Sequence, residues 1–270
     1  MFDFKTVKMI VTDLDSTLLR SDKTISEYTQ EVFERLHEQN ILVAFATSRA
    51  MRASERFREI IKPNIDITSG GAIAVMGGAI AVMGGKTLFR AAIDIDIANS
   101  IIHDLRTNNE VLQITVDSEE YYFSSKPSDK SWLGWEDYNN AVVTDFVEPL
   151  SVNDVLKISP HVTNAETLSE IISHYPTVDI ISFTGEDWYQ IKSKKAAKDY
   201  ALAEVCKQLD ISMSEVVAFG DDYNDISMIR ECGVGVAVAN AIDEVKAVAN
   251  YFCDTNDNDG VAKWIEENIL

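Results

Sequence analysis

Apolar residues along this chain come in short uninterrupted runs, with polar residues gathered at their ends. Met9–Thr12 is the first run, β-branched and without a polar break, the texture of a strand covered on both faces of a parallel sheet. Ile41–Ala46, Ile65–Thr68, Val216–Phe219, Val234–Val238 and Tyr251–Cys253 repeat it. Between the first two runs, Tyr28, Val32, Phe33 and Leu36 fall on one helical stripe behind a capping Ser26 and stop near Asn40. Further helices are expected from about Arg52 to Ile61, up to Leu209, after Asn240 and after Asp259. Strands alternating with helices predict an α/β fold around a parallel sheet.

The texture changes over residues 85–189, where longer and more polar strands alternate with two helices. Ile97, Ile101, Ile102 and Leu105 form one helical stripe, and Ala165, Leu168, Ile171 and Ile172 form the other. VDIISFTGEDWYQIK reads as a hairpin turning at Gly185-Glu186. The segment is expected to be an α+β module with its own core, inserted into a discontinuous domain made of residues 1–84 and 190–270. Trp132, Trp135 and Trp188 lie in it and are assigned to packing, and His103, His161 and His174 show no metal spacing. Just before it GAIAVMG occurs twice, at 71–77 and 78–84, and two AIAVM strands joined by Gly77-Gly78 are expected to form a hairpin. A further turn at Gly84-Gly85 would lead into Lys86–Arg90.

Composition narrows the partners. The 270 residues are 46% hydrophobic, enough to fill one large or two ordinary cores. A net charge of −20 opposes loose binding to nucleic acid or to anionic membranes, so an anionic substrate needs local cations to capture it. No apolar run approaches the length of a membrane span and the N-terminus lacks a signal-peptide pattern, so a cytoplasmic protein is expected. Cys206, Cys232 and Cys253 have neither disulfide nor zinc spacing and are read as buried thiols.

The candidate chemistry stands where the runs end. Asp13 and Asp15 follow the first strand, and two carboxylates this close suggest a hard cation between them. Thr47 and Ser48 follow the second strand at a strand-to-helix junction that offers hydroxyls and free backbone N–H groups to a small anion. Gly220 to Asp225, GDDYND, follows Val216–Phe219, and lysines at 192, 194, 195 and 198 precede the helix that runs to Leu209. Asp13-Leu14-Asp15-Ser16-Thr17, Thr47-Ser48-Arg49, Lys198 and Gly220-Asp221-Asp222-Tyr223-Asn224-Asp225 occur in the order of the four motifs of the haloacid-dehalogenase superfamily. The chain resembles its Cof-type phosphatases, which act on sugar phosphates and similar small phosphates.

The resemblance implies a Rossmann-like core with residues 85–189 as a cap that selects the leaving group, hinged near Gly84-Gly85 and near Lys192. It also implies Mg2+, held by Asp13, the Asp15 main-chain carbonyl and Asp221, with Asp225 in support. Asp13 suits the nucleophile because an aspartate can attack phosphorus and split one difficult displacement into two. Asp15 suits the general acid and base, with a pKa expected to rise beside another negative charge. Thr47, Ser48, Lys198, Asn224 and the Leu14 backbone N–H are the expected phosphate donors. The implied partner is a small phosphorylated metabolite. Two alternatives stay open: a phosphosugar mutase of the phosphomannomutase type, and a non-catalytic phosphate-binding or signalling protein. Ser16 and Ser48 stand where the family usually has glycine, and Gly70 where it usually has asparagine.

Overall fold

The structure, a computed structural model, describes residues 3–49, 51–68, 80–118, 122–126, 143–145, 149–152, 154–182 and 187–270. Strands and helices are numbered in chain order. The larger sheet takes β1 (Met9–Thr12), β2 (Leu42–Ala46), β3 (Ile65–Thr68), β4 (Ile80–Met83) and β5 (Lys86–Arg90) from the first part of the chain. From the last part it takes β12 (Val216–Gly220), β13 (Val234–Val238) and β14 (Tyr251–Cys253). Their order is β14-β13-β12-β1-β2-β3-β4-β5, with β4 antiparallel to both β3 and β5 at one edge and the remaining pairings parallel.

The apolar runs become strands because both faces of this sheet are covered. Met9, Ile10 and Val11 are fully buried, as are Val216, Val217 and Ala218 on the neighbouring strand. Helices α1 (Glu27–Glu38), α2 (Met51–Ile61), α5 (Lys198–Gln208), α6 (Ile226–Glu231), α7 (Asp243–Val248) and α8 (Gly260–Asn268) belong to this unit. Helix α1 starts as the sequence implies, with Ser26 Oγ accepting from the Thr29 N–H at 3.0 Å. Phe33, Phe45 and Phe219 are wholly buried in the core, each stabilising the fold by roughly 1.5–3 kcal/mol.

Register sets the positions of the functional strand ends. Thr12 lies level with Phe45 of β2 and with Phe219 of β12. Asp13, Ala46-Thr47 and Gly220-Asp221 therefore leave the sheet together at its carboxyl end. From β1 the chain order runs to β2 and β3 on one side and to β12, β13 and β14 on the other, so this is also the crevice at a topological switch point.

The inserted unit has a second, mainly antiparallel sheet. It is built from β6 (Val111–Asp117), β7 (Tyr122–Ser124), β8 (Val143–Asp145), β9 (Lys157–Val162), β10 (Val178–Ser182) and β11 (Tyr189–Ser193). The order is β10-β11-β9-β6-β7-β8. Helices α3 (Ile95–Arg106) and α4 (Ala165–Ser173) share a separate apolar core with it, including Ile101, Leu105, Ile114, Ile158, Leu168 and Ile191.

Two sequence expectations change. Strand β5 pairs with β4 in the larger sheet and β11 lies in the smaller one, so the crossings fall near 91–94 and 194–197 and not at 85 and 189. Gly84-Gly85 is then the β4–β5 turn, both residues left-handed at φ 55° and 78°, and not a hinge. The second copy of AIAVM supplies β4, which lies between β3 and β5. The first copy, Gly77-Gly78, Gly70, Trp132, Trp135 and the Gly185-Glu186 turn lie outside the described residues. Where the two units meet, Leu156 and Ala196 pack with Ile80, Val82 and Ala91 in a small third cluster.

Candidate active site

The strand ends converge on a buried lysine. Lys198, the first residue of α5, is 1% exposed, and its Nζ lies 3.0 Å from Asp13 Oδ1 and 2.7 Å from Asp225 Oδ1. Burial alone would discharge it, but the two carboxylates hold it firmly protonated. Asp13 follows β1 directly, its N–H donating to the Phe219 carbonyl at 3.1 Å, which ties it to the β12 strand end. Burial pushes the Asp13 carboxyl above the usual carboxylate range; Lys198 pulls it down, and Asp225 and Asp221 push it up again.

The GDDYND loop supplies the other carboxylates. Asp225 is fully buried, and its Oδ2 accepts from the backbone N–H of Asp221 at 3.0 Å and of Asp222 at 3.2 Å while Oδ1 faces Lys198. This folding-back needs glycine at 220, where a Cβ would sit 2.5 Å from the Asp225 Cβ. Asp221 accepts at Oδ1 from the Thr17 hydroxyl at 2.6 Å, and burial raises its pKa to about 6 despite that bond.

Asp13, Asp221 and Asp225 each bring a carboxylate oxygen within 4.8 Å of the others. Three carboxylates against one ammonium leave two negative charges, and oxygen-only donors suit a hard divalent cation such as Mg2+. The residues fit the expected ion. Since both Asp225 oxygens already accept hydrogen bonds, Asp13 and Asp221 are the better placed direct ligands.

Asp15 sits apart from that cluster. The chain turns sharply after it, with Ser16 left-handed at φ 59° and its carbonyl accepting from Asn240 Nδ2 at 2.7 Å. Serine therefore does adopt the conformation for which the family generally uses glycine. Arg49 donates to Asp15 with Nε at 2.7 Å and Nη2 at 2.8 Å, and Lys23 Nζ donates at 2.7 Å. Burial works to raise the Asp15 pKa, but these hydrogen bonds and charges outweigh it and hold the carboxyl at about 2. The expected rise is thus reversed, because Arg49 and Lys23 both donate hydrogen bonds to Asp15.

The expected anion donors fall around the same crevice. Thr47 is 1% exposed at the end of β2, and its Oγ1 accepts from the Arg49 N–H at 3.1 Å, leaving its hydroxyl hydrogen to donate. Ser48 Oγ accepts from Asn224 Nδ2 at 2.7 Å, so these two are joined to each other, while the buried Asn224 Oδ1 has no hydrogen-bond partner among the described residues. Leu14 is wholly buried. Sequence reasoning did not single out Lys23, the Arg49 side chain or Asn240 for this site. Thr17 was visible only as part of a hydroxyl pair.

A haloacid dehalogenase-like hydrolase family model matches residues 10–265. Among curated relatives, the chain is 26% identical to the 5-amino-6-(5-phospho-D-ribitylamino)uracil phosphatase YcsE of Bacillus subtilis, covering 98% of this chain and 96% of that one. It is 27% identical to the phosphatase YwpJ of the same organism, covering 96% and 99%. The solved phosphatase BT1666 of Bacteroides thetaiotaomicron shares the fold with a TM-score of 0.80 at 20% identity, over 98% and 96% of the two chains. Motif order, the strand-end geometry and a family match over nearly the whole length agree: the chain belongs to the haloacid dehalogenase-like hydrolases, among the Cof-type phosphatases.

Proposed function

We propose that this protein hydrolyses small phosphate monoesters, sugar phosphates or similar metabolites, with Mg2+ and through an aspartyl-phosphate on Asp13. The observation that carries the reading is Lys198, buried between Asp13 and Asp225 at 3.0 and 2.7 Å beside Asp221. An ammonium there orients the nucleophile and supplies positive charge to an incoming phosphoryl oxygen. In an acidic chain, that focused cation helps an anion to enter.

In the first step an Asp13 oxygen bonds to phosphorus, the ester P–O bond breaks, and the leaving alkoxide takes a proton from Asp15. In the second, water gives a proton to Asp15 as its oxygen bonds to phosphorus and the Asp13–phosphorus link breaks. Thr47, Ser48, Asn224, Lys198 and the Leu14 backbone N–H position the phosphoryl oxygens. When bound by Asp13, Asp221 and the Asp15 main-chain carbonyl, with Asp225 behind, Mg2+ supplies charge neutralisation between nucleophile and phosphoryl group. As clamped, Asp15 can take up and give back a proton at Oδ2, the oxygen that accepts only one of the three bonds from Arg49 and Lys23. The inserted unit acts as the cap that selects the leaving group and limits bulk water.

Among the described residues no helix is long and apolar enough to cross a membrane. The deciding experiment is a phosphate-release screen with and without Mg2+ over sugar phosphates, nucleotides, pyridoxal phosphate, polyol phosphates and the phosphoribitylaminouracil that names YcsE. Mg2+-dependent turnover that vanishes in Asp13→Asn while the fold is retained supports the reading. Normal turnover in Asp13→Asn, or no hydrolysis across the panel, overturns it.

A further inference from the structure

Asp15 is gripped from two sides by residues that come from unrelated parts of the fold. Arg49 approaches from the end of β2 and closes both of its fork nitrogens on the two Asp15 oxygens, at 2.7 and 2.8 Å. The guanidinium is itself held: its side chain is only 15% exposed and lies over the Phe57 ring of α2, 5.3 Å from the centroid. Lys23 comes from the turn after the first motif, with φ 63°, and reaches Asp15 Oδ1 at 2.7 Å. That turn is fastened to the far end of the chain, since Arg20 pairs with Asp259 and both the N–H and hydroxyl of Ser21 donate to Asp257.

Such an arrangement is more than a surface ion pair. A bidentate, planar contact removes the rotational freedom of a short carboxylate, whereas a lone lysine contact removes little. The Asp15 side chain is otherwise 37% exposed and precedes a left-handed residue, so its own packing does not fix it.

We propose that Arg49 is a positioning residue that acts through Asp15, holding its carboxylate where protons pass to and from the leaving group and water, with Lys23 as the weaker second arm. The inference rests on the role given to Asp15 above. Arg49 need not touch the phosphoryl group at all, which separates it from Thr47 and Lys198.

The distinction is measurable because a good leaving group needs no proton. For p-nitrophenyl phosphate, kcat/KM reports attack on phosphorus without help from Asp15, while for an alkyl phosphate it includes protonation of the leaving oxygen. Arg49→Gln is expected to lower kcat/KM on the best alkyl phosphate of the screen by about tenfold or more, the scale of a misplaced catalytic group. On p-nitrophenyl phosphate, kcat/KM is expected to change less than about threefold. In an Asp15→Asn background, adding Arg49→Gln should cost nothing further on the alkyl phosphate, because the group it positions is already lost. Lys23→Met should give the same pattern at smaller amplitude.

Equal losses on both substrates, additive in the Asp15→Asn background, would mean that Arg49 binds the phosphoryl group and would overturn the proposal, as would wild-type rates on both. Asp15→Asn with wild-type kcat/KM on the alkyl phosphate would instead remove the underlying role of Asp15. Thermal melting and Asp13 capture of beryllofluoride monitor the fold and the rest of the site. Should Arg49→Gln fail to fold, Arg49→Lys keeps the charge without the fork, and the same substrate split is expected from it.

Discussion

The hydroxyl of Thr17 donates to Asp221 Oδ1 across 2.6 Å, joining two strand ends that are 204 residues apart in sequence. This bond orients one of the carboxylates offered to Mg2+ and favours its charged form. Replacing Thr17 with Val keeps the shape and removes the donor. The expected outcome is an Mg2+ affinity roughly ten- to a hundredfold weaker, as when the partner of a metal ligand is lost. Isothermal titration or Mg2+ dependence of turnover checks it, and unchanged affinity would count against Asp221 as a ligand.

Lys198 neutralises carboxylates that are otherwise buried together. Lys198→Met should abolish turnover and also destabilise the metal-free protein by about 3–5 kcal/mol, the cost of stripping one partner from a buried pair. The penalty should shrink as pH falls, because burial already pushes the Asp13 carboxyl towards its protonated form, and shrink on adding Mg2+. Denaturant melts at several pH values test both halves of the statement.

The pH dependence of metal binding follows from Asp221. Its pKa rises from 3.8 to about 6 on folding, so between those values the folded chain holds a proton that the unfolded chain has lost. The stability this group contributes is therefore full below 3.8 and is lost as pH rises through about 6. Mg2+ reverses the balance, since it binds the ionised form and releases the proton. The Mg2+-induced rise in Tm is expected to be larger at about pH 7.5 than at about pH 5, and calorimetry in buffers of different ionisation enthalpy should detect the released proton.

Ser16 is held left-handed at φ 59° in the turn between Asp15 and Thr17. An L-residue with a Cβ is strained there by about 1–2 kcal/mol, partly offset by the greater unfolded-state entropy of glycine. Ser16→Gly should raise stability by about 0.5–1 kcal/mol while preserving the Asn240 contact to the backbone carbonyl. A loss of stability would show that the serine hydroxyl makes a compensating contact.

Much of the site was legible in the chain itself. Met9–Thr12, Leu42–Ala46 and Val216–Gly220 announce themselves as buried strands because apolar, β-branched runs can satisfy both covered faces of a parallel sheet. The polar residues at their ends are then candidates for the crevice by position alone. Asp13, Thr47 and Asp221 follow from that reasoning, whereas Lys198 is singled out from Lys192, Lys194 and Lys195 by the register of the family resemblance.

What the sequence determined were the properties carried along the backbone: period, strand end, cap and motif order. Tertiary structure decided what depends on distance between segments far apart in sequence. Strand β4 has β3 and β5 as its neighbours, a pairing that its repeated sequence does not specify because edge pairing is decided in space. Asp15 ended ionised and clamped because Arg49 and Lys23, 34 and 8 residues away in sequence, lie within hydrogen-bond reach. A carboxylate responds to the charges around it in three dimensions, and those are set only when the strands have found their register.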